Sequence, residues 1–170
     1  MAAEAARLVA TGGGAPGDVL ALAVAQEETG LAGARTSAFA HRPDVAIVVD
    51  VTHASDQPGI ELGPVTEHKL GGGPVLTRAS NLHPRVFELL HDAAEQNDIA
   101  FTVESSGNST GTDADAVQVA RSGIPTALVG VPMRYMHSPV ELVSLHDIDA
   151  AARLIAAFAR LLEPGMSFVR

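Results

Sequence analysis

Three uninterrupted apolar runs constrain this chain more than any other feature: DVLALAVAQ at 18–26, DVAIVVDV at 44–51 and IPTALVGVP at 124–132. Each is far shorter than the ~20 residues a membrane helix needs. Each lacks the apolar–polar alternation of a half-exposed strand. The pattern is that of strands covered on both faces, as in a sheet layered between helices.

Helical patterns fall between these runs. AAEAARLVA opens the chain and stops at TGGGAPG, a cluster that breaks regular structure. GLAGARTSAFA is a weaker helix. HPRVFELLHDAAEQND is strongly amphipathic, with Pro84 near its start and Val86, Leu89, Leu90 and Ala93 at helical spacing. DADAVQVARSG reads as a helix with acids in its first turn and Gly123 past its end. DIDAAARLIAAFARLLE is the last, with Ser144 and Asp147 spaced as a loose capping box. PVLTRAS and IAFTVES read as further strands, and residues 53–73 as a loop. Helix and strand alternate, which requires crossover connections. The expected fold class is therefore α/β, a mainly parallel sheet with helices on both faces, in one domain over 1–170.

Composition narrows the chemistry. Of the 170 residues, 46% are hydrophobic but only 4% aromatic, so the core is built from Ala, Val, Leu and Ile. Cysteine is absent, so any metal must be held by His, Asp or Glu. A formal net charge of −9 argues against nucleic-acid binding, which needs a basic face. With no membrane-length apolar run and no basic start to the first ten residues, the expectation is a cytoplasmic protein that does not meet a membrane. There is no Lys-Ser/Thr after TGGGAPG and no G-x-S-x-G, so neither a phosphate loop nor a nucleophile elbow is present.

In such sheets, ligands bind beyond the carboxyl ends of the strands. That edge carries the candidate chemistry. Glu27 and Glu28 end the first apolar run as a doubled charge, with Gly30 turning the chain. An exposed turn is the plainer account of such a pair. Asp50 lies within a second apolar run, where a carboxylate is costly unless paired or metal-bound. His137 sits in the irregular RYMHSP segment. Asp113 is equally well explained by helix-dipole complementarity. His53, close to Asp50, is a weaker candidate, as is His146; His41, His68, His83 and His91 have polar or loop surroundings.

Five stretches, in this order, carry a resemblance: AVAQEETGLAGA, VVDVTHASDQPG, LGGGP, SGNSTGTDADA and VGVPMRYMHSPVE. They resemble metallopeptidase family forty-two, the glutamyl, leucyl and lysyl aminopeptidases, which include tetrahedral self-compartmentalising enzymes and some members once labelled cellulases. The resemblance implies a hydrolase that releases N-terminal residues from peptides, using two divalent ions, zinc or cobalt. By position, Glu27 matches the general base, Glu28 and His137 match ligands of one metal, and Asp50 matches a ligand of the second. Asp113 and His53 are weak candidates for substrate contact. The cellulase label fits poorly, because glycosidase carboxylates must flank a sugar bond at about 5–10 Å, awkward for adjacent residues.

The resemblance also implies departures. The family's remaining histidine ligand, its bridging aspartate and its inserted dimerisation domain have no counterpart here. The chain is expected to correspond to the C-terminal part of the catalytic domain. Partial or no metal occupancy follows, with little or no peptidase activity from this chain alone. The expected partners are peptides and either further copies of the chain or an N-terminal half. A non-catalytic remnant or assembly subunit is the alternative.

Overall fold

Strand β4 (Thr126–Arg134) is the axis of the sheet. The computed structural model describes residues 1–60 and 67–169. Part of the expected 53–73 loop, residues 61–66, lies outside the described residues. On one side β4 pairs in parallel with β1 (Ala46–His53), in register from Ala46 opposite Thr126 to His53 opposite Met133. On the other it meets β2 (Val75–Arg78) antiparallel, Val75 opposite Gly130. Beyond β2 lies β3 (Thr102–Ser105), parallel to it. A two-residue strand β5 (Leu142–Val143) adds antiparallel to the end of β4. The order β1-β4-β2-β3 gives the expected α/β sheet, mixed rather than purely parallel.

The IPTALVGVP run forms the central strand because its side chains are buried from Thr126 to Met133. One sheet face is covered by α3 (Pro84–Gln96) and α5 (Leu145–Leu161). There Val86, Leu89, Leu90 and Leu154 pack against Leu76, Val129 and Val131. Pro84 stands at the start of α3, where its missing N–H costs nothing. Helix α1 (Ala2–Thr11) lies outside α5, joined through Val9, Ala156 and Ala159. Against the opposite face pack α2 (Ala32–His41) and the single turn α4 (Ala114–Val117). Small residues, Ala34, Ala38, Ala116 and Ala120, let these helices approach Ala46 and Val48 closely.

Three sequence expectations are corrected. The 18–26 run is not a strand, and Val19, Leu20, Leu22 and Val24 are 38–59% exposed. Apolar patterning is necessary for a buried strand but not sufficient. The backbone also needs a ladder partner, and among the described residues none pairs with this run. The DADAVQVARSG helix is only four residues long. After Val117 the chain tightens into three-residue turns (Ala120 N–H to Val117 C=O, Gly123 N–H to Ala120 C=O) so that Ile124 can enter β4. Finally, Ser144 does cap α5 by position, but no side-chain cap bond forms. Asp147 is fully buried and accepts instead from Gly71 N (2.8 Å) and Gly73 N (2.9 Å). It thereby clasps the LGGGP turn that leads into β2.

Candidate metal centre

The candidate carboxylate of β1 lies on the second sheet face, towards the carboxyl end of the strand. Asp50 and Thr52 both point to this face by strand alternation. Gly130, opposite Asp50, carries no side chain there, so the Thr52 side chain lies over it. Thr52 Oγ1 donates to Glu104 Oε2 (2.8 Å), and Thr77 Oγ1 donates to Glu104 Oε1 (2.7 Å). Glu104, from β3, thus ties three strands together beneath the site. It was missed in the sequence, although FTVES shows the same acid-ending apolar strand that marks Asp50. The buried His68 was also missed. Its Nδ1 lies 2.7 Å from Thr102 Oγ1, and burial pushes its pKa down, with Glu104 opposing.

Glu27 and Glu28 arrive on a turn between Gln26 and Leu31, both in the left-handed region (φ 64° and 57°). Gly30 N and Leu31 N close that turn onto the Glu27 carbonyl. Gly33 N donates to Ala25 O at 3.0 Å, which holds the turn against the first turn of α2. The acidic pair therefore reaches the site without a strand beneath it.

His137 comes from the segment after β4. Arg134 binds Asp56 with two bonds, 3.2 and 2.6 Å, and Tyr135 N donates to Gln57 Oε1 at 2.7 Å. His137 N donates to Glu141 Oε1 at 2.7 Å. Tyr135 and His137 are both left-handed (φ 61°), a conformation that costs a non-glycine residue about 1–2 kcal/mol. Gln26, Leu31, Tyr135 and His137 thus flank the site in a conformation that Arg42, Asp98 and Arg121 also adopt away from it.

The structure brings Glu28 and His137 together, Oε1 to Nε2 at 3.2 Å, with both side chains about 70% exposed. An exposed pair of this kind adds little stability; its interest is a carboxylate and an imidazole side by side. Glu27, Asp50 and Asp113 are close enough to act on one another. The Glu27 pKa is raised by burial and then by the charges of Asp50, Glu28 and Asp113, with His137 opposing. Asp50 is raised by burial and by Glu28, with the Val51 N–H opposing. Asp113 is raised by burial and by Asp50. His53 falls on the other face of β1 and is exposed. No bond described for it reaches the cluster.

A carboxylate and an imidazole, as at Glu28 and His137, are donor types that divalent cations accept. Among the described residues, however, no three His, Asp or Glu side chains converge closely enough to enclose one.

These pKa shifts set a pH dependence. A carboxylate whose folded pKa is raised binds its proton more readily in the folded state. Its contribution to stability therefore falls as pH rises from the ordinary value, 3.8 for Asp50 and Asp113 and 4.5 for Glu27, through the folded value. Asp56, lowered chiefly by Arg134, and Asp115, which burial raises but whose hydrogen bonds together lower it further, act in the opposite sense. The informative quantity is thus a difference. Asp50→Asn keeps the oxygen that accepts from Val51 N (2.7 Å) and removes the charge. Without added metal it is expected to be more stable than wild type at pH 7, with the gain vanishing near pH 3. Urea titrations across that range check it.

The sequence model of the M42 glutamyl aminopeptidase family matches residues 1–154. The lysyl aminopeptidase of Pyrococcus furiosus is 41% identical over 147 residues, covering 86% of this chain and 42% of its own. A TET aminopeptidase structure from a marine-sediment Thaumarchaeota archaeon superposes with a TM-score of 0.82 at 34% identity, over 93% of this chain and 44% of that one. The TET1 peptidase of Pyrococcus horikoshii, described as assembling into a tetrahedron or a large octahedral shell, gives 0.62 at 28%, over 82% and 40%. The chain thus spans less than half the length of these relatives.

Proposed function

The chain belongs to the M42 glutamyl aminopeptidase family, and from that premise we propose that it carries the acid–base and part of the metal-binding half of a metal-dependent aminopeptidase site. One observation carries the reading: the Glu28–His137 pair at 3.2 Å, set beside Glu27 and Asp50 at the carboxyl edge of the sheet. Glu28 and His137 would hold one divalent cation, zinc or cobalt, and Asp50 would contribute to a second. When bound, such a cation supplies Lewis-acid activation of water near neutral pH.

The remaining chemistry belongs to the chain. Glu27 is the half-buried member of the acidic pair, and its raised pKa brings it towards the range in which a carboxylate both accepts and returns a proton. It is the general base in this reading, taking a proton from water and passing it to the leaving amine. The Asp56–Arg134 and Gln57–Tyr135 bonds hold His137 in place, and Gly33 holds Glu27 and Glu28.

Catalytic zinc usually has three protein ligands, and two adjacent donors fall short of that. Cobalt titration by calorimetry is therefore expected to show one weakly held ion per chain, abolished in Glu28→Ala and in His137→Ala. With aminoacyl-anilides, little or no turnover by this chain alone is expected. Two tightly held ions per chain after dialysis would show the ligand set to be wrong. Failure to bind cobalt at all would remove the metal-dependent reading.

A second reading has its own support. Among the described residues β1 pairs only with β4, which leaves its other edge unpaired, and Val19, Leu20, Leu22 and Val24 are exposed. Such edges invite pairing with another chain, and a non-catalytic assembly subunit, in a homo-oligomer like the TET shells or with an N-terminal half, would use it. Stable association without turnover favours that reading. No helix in the described residues is long and apolar enough to cross a membrane.

A further inference from the structure

Between α2 and the turns that follow α4 runs a groove of about 390 Å³. Ala116 and Ala120 form its buried floor, and Phe39 and Val119, 57% and 63% exposed, its apolar walls. Arg35 and Arg121 line it, and among the described residues no acid does.

Arg121 is fixed in place there. Its guanidinium lies over the Phe39 ring, 3.7 Å from the ring centre, and its Nε donates to the Phe39 carbonyl. Among the described residues the two terminal nitrogens of the fork find no partner. Arg42 stands near enough to act on Arg121 as a like charge. Arg7, Arg85, Arg134 and Arg153 each hold a carboxylate, whereas among the described residues Arg35, Arg42 and Arg121 hold none. In a chain with 20 acids against 11 Lys and Arg, three arginines gathered without a carboxylate are an uncompensated patch.

These surfaces specify an occupant. The apolar walls suit an aliphatic or aromatic side chain. The arginine forks suit carboxylates, which they bind through two parallel N–H donors. A fork already held on Phe39 loses little freedom when it binds. An acidic peptide brings both features on adjacent residues. Nucleic acid brings anions without an aliphatic side chain, Arg121 already covers a face of the Phe39 ring on which a base would stack, and a polyanion meets the −9 charge of the whole chain. A short peptide meets chiefly the local charge, because salt screens beyond about 8 Å.

We propose that this groove docks an acidic peptide segment of another protein, one apolar side chain seated between Phe39 and Val119 and its flanking carboxylates on Arg35 and Arg121. Glu27, Glu28, Asp50 and His137 do not line the groove, so the assignment goes beyond the aminopeptidase reading and does not depend on it.

The probe is a peptide with one leucine between two pairs of glutamates, acetylated and amidated so that it offers no free N-terminus. It is titrated into the isotope-labelled full chain without metal and followed by NMR. Amide shifts are expected to move around Arg35, Phe39, Val119 and Arg121. The same peptide with lysines for glutamates is expected to bind at least about tenfold more weakly. Arg35→Gln combined with Arg121→Gln is expected to lower affinity roughly three- to tenfold, the span of two exposed ion pairs. Val119→Ser, at an exposed position, tests the wall without touching the arginines: it is expected to weaken the acidic peptide and keep the preference over lysine. Circular dichroism confirms that each variant folds. No binding at millimolar peptide overturns the assignment, as do equal affinity for both peptides, shifts confined to the surroundings of Glu27 and His137, and unchanged affinity in the folded double arginine variant. Concentration-dependent self-association that the double variant abolishes also overturns it, by giving the groove to a second copy of the chain.

Discussion

Replacing Asp147 with alanine is expected to destabilise the fold by about 3–6 kcal/mol, from two hydrogen bonds to a carboxylate at roughly 1.5–3 kcal/mol each. Asp147 is completely buried at the start of α5, and its two oxygens satisfy the N–H groups of Gly71 and Gly73. Alanine leaves both donors without an acceptor and opens a cavity beneath them. Most domains are stable by only ~5–15 kcal/mol, so the loss is a large fraction of the whole. Asn keeps one acceptor oxygen but sets its amide against the other N–H, and is expected to cost about half as much. Urea denaturation measures both, and a loss below about 1 kcal/mol for alanine would mean that the clasp is not what holds the turn. Gly73→Ala approaches the same clasp from the other side. Gly73 has φ +92°, and an added Cβ would collide with the Ala100 carbonyl oxygen. Its effect and that of Asp147→Ala are expected to be non-additive, because either one releases the turn. The consequence reaches the site through β2, whose Thr77 binds Glu104.

Gly33→Ala is expected to disable the candidate site while leaving most of the fold intact. A Cβ on Gly33 would run into the backbone of Ala25, against both its carbonyl oxygen and its nitrogen. Neither is the flexible end of a side chain, so either α2 or the turn carrying Glu27 and Glu28 must move. The turn is the softer of the two, since no strand ladder anchors it. Overpacking of this kind costs about 1–3 kcal/mol. The larger effect is on position: site residues must be held within about 0.5 Å of their productive geometry. Cobalt affinity is therefore expected to fall at least about tenfold, or ~1.4 kcal/mol. Calorimetry with cobalt and a thermal melt separate the two effects. Unchanged affinity in a folded Gly33→Ala chain would show that the acidic turn is positioned by other contacts.

Much of this could be read from residue order. The amphipathic stripe of α3 and the apolar runs of β1 and β4 predict their own structure, because burial on one or both faces is written in local periodicity. Glu27, Glu28 and Asp50 stand out in the sequence because a carboxylate in or at the end of an apolar run is out of place, whereas His137 is singled out by its place in the motif order. Asp147 and Gly33 carried no such signal. Asp147 has the spacing of a capping box, and Gly33 is an ordinary small residue near a helix start.

What the sequence determined by itself, then, is the α/β class, the family and the rim on which acids and imidazole collect. These depend on local apolar patterning and on motif order. Tertiary structure alone decided that 18–26 forms no strand, that Asp147 serves the glycine turn, and that Asp113 keeps an oxygen unsatisfied. Each of these depends on which donor or ladder partner lies across space, and hydrogen bonds between distant segments leave no period in the chain.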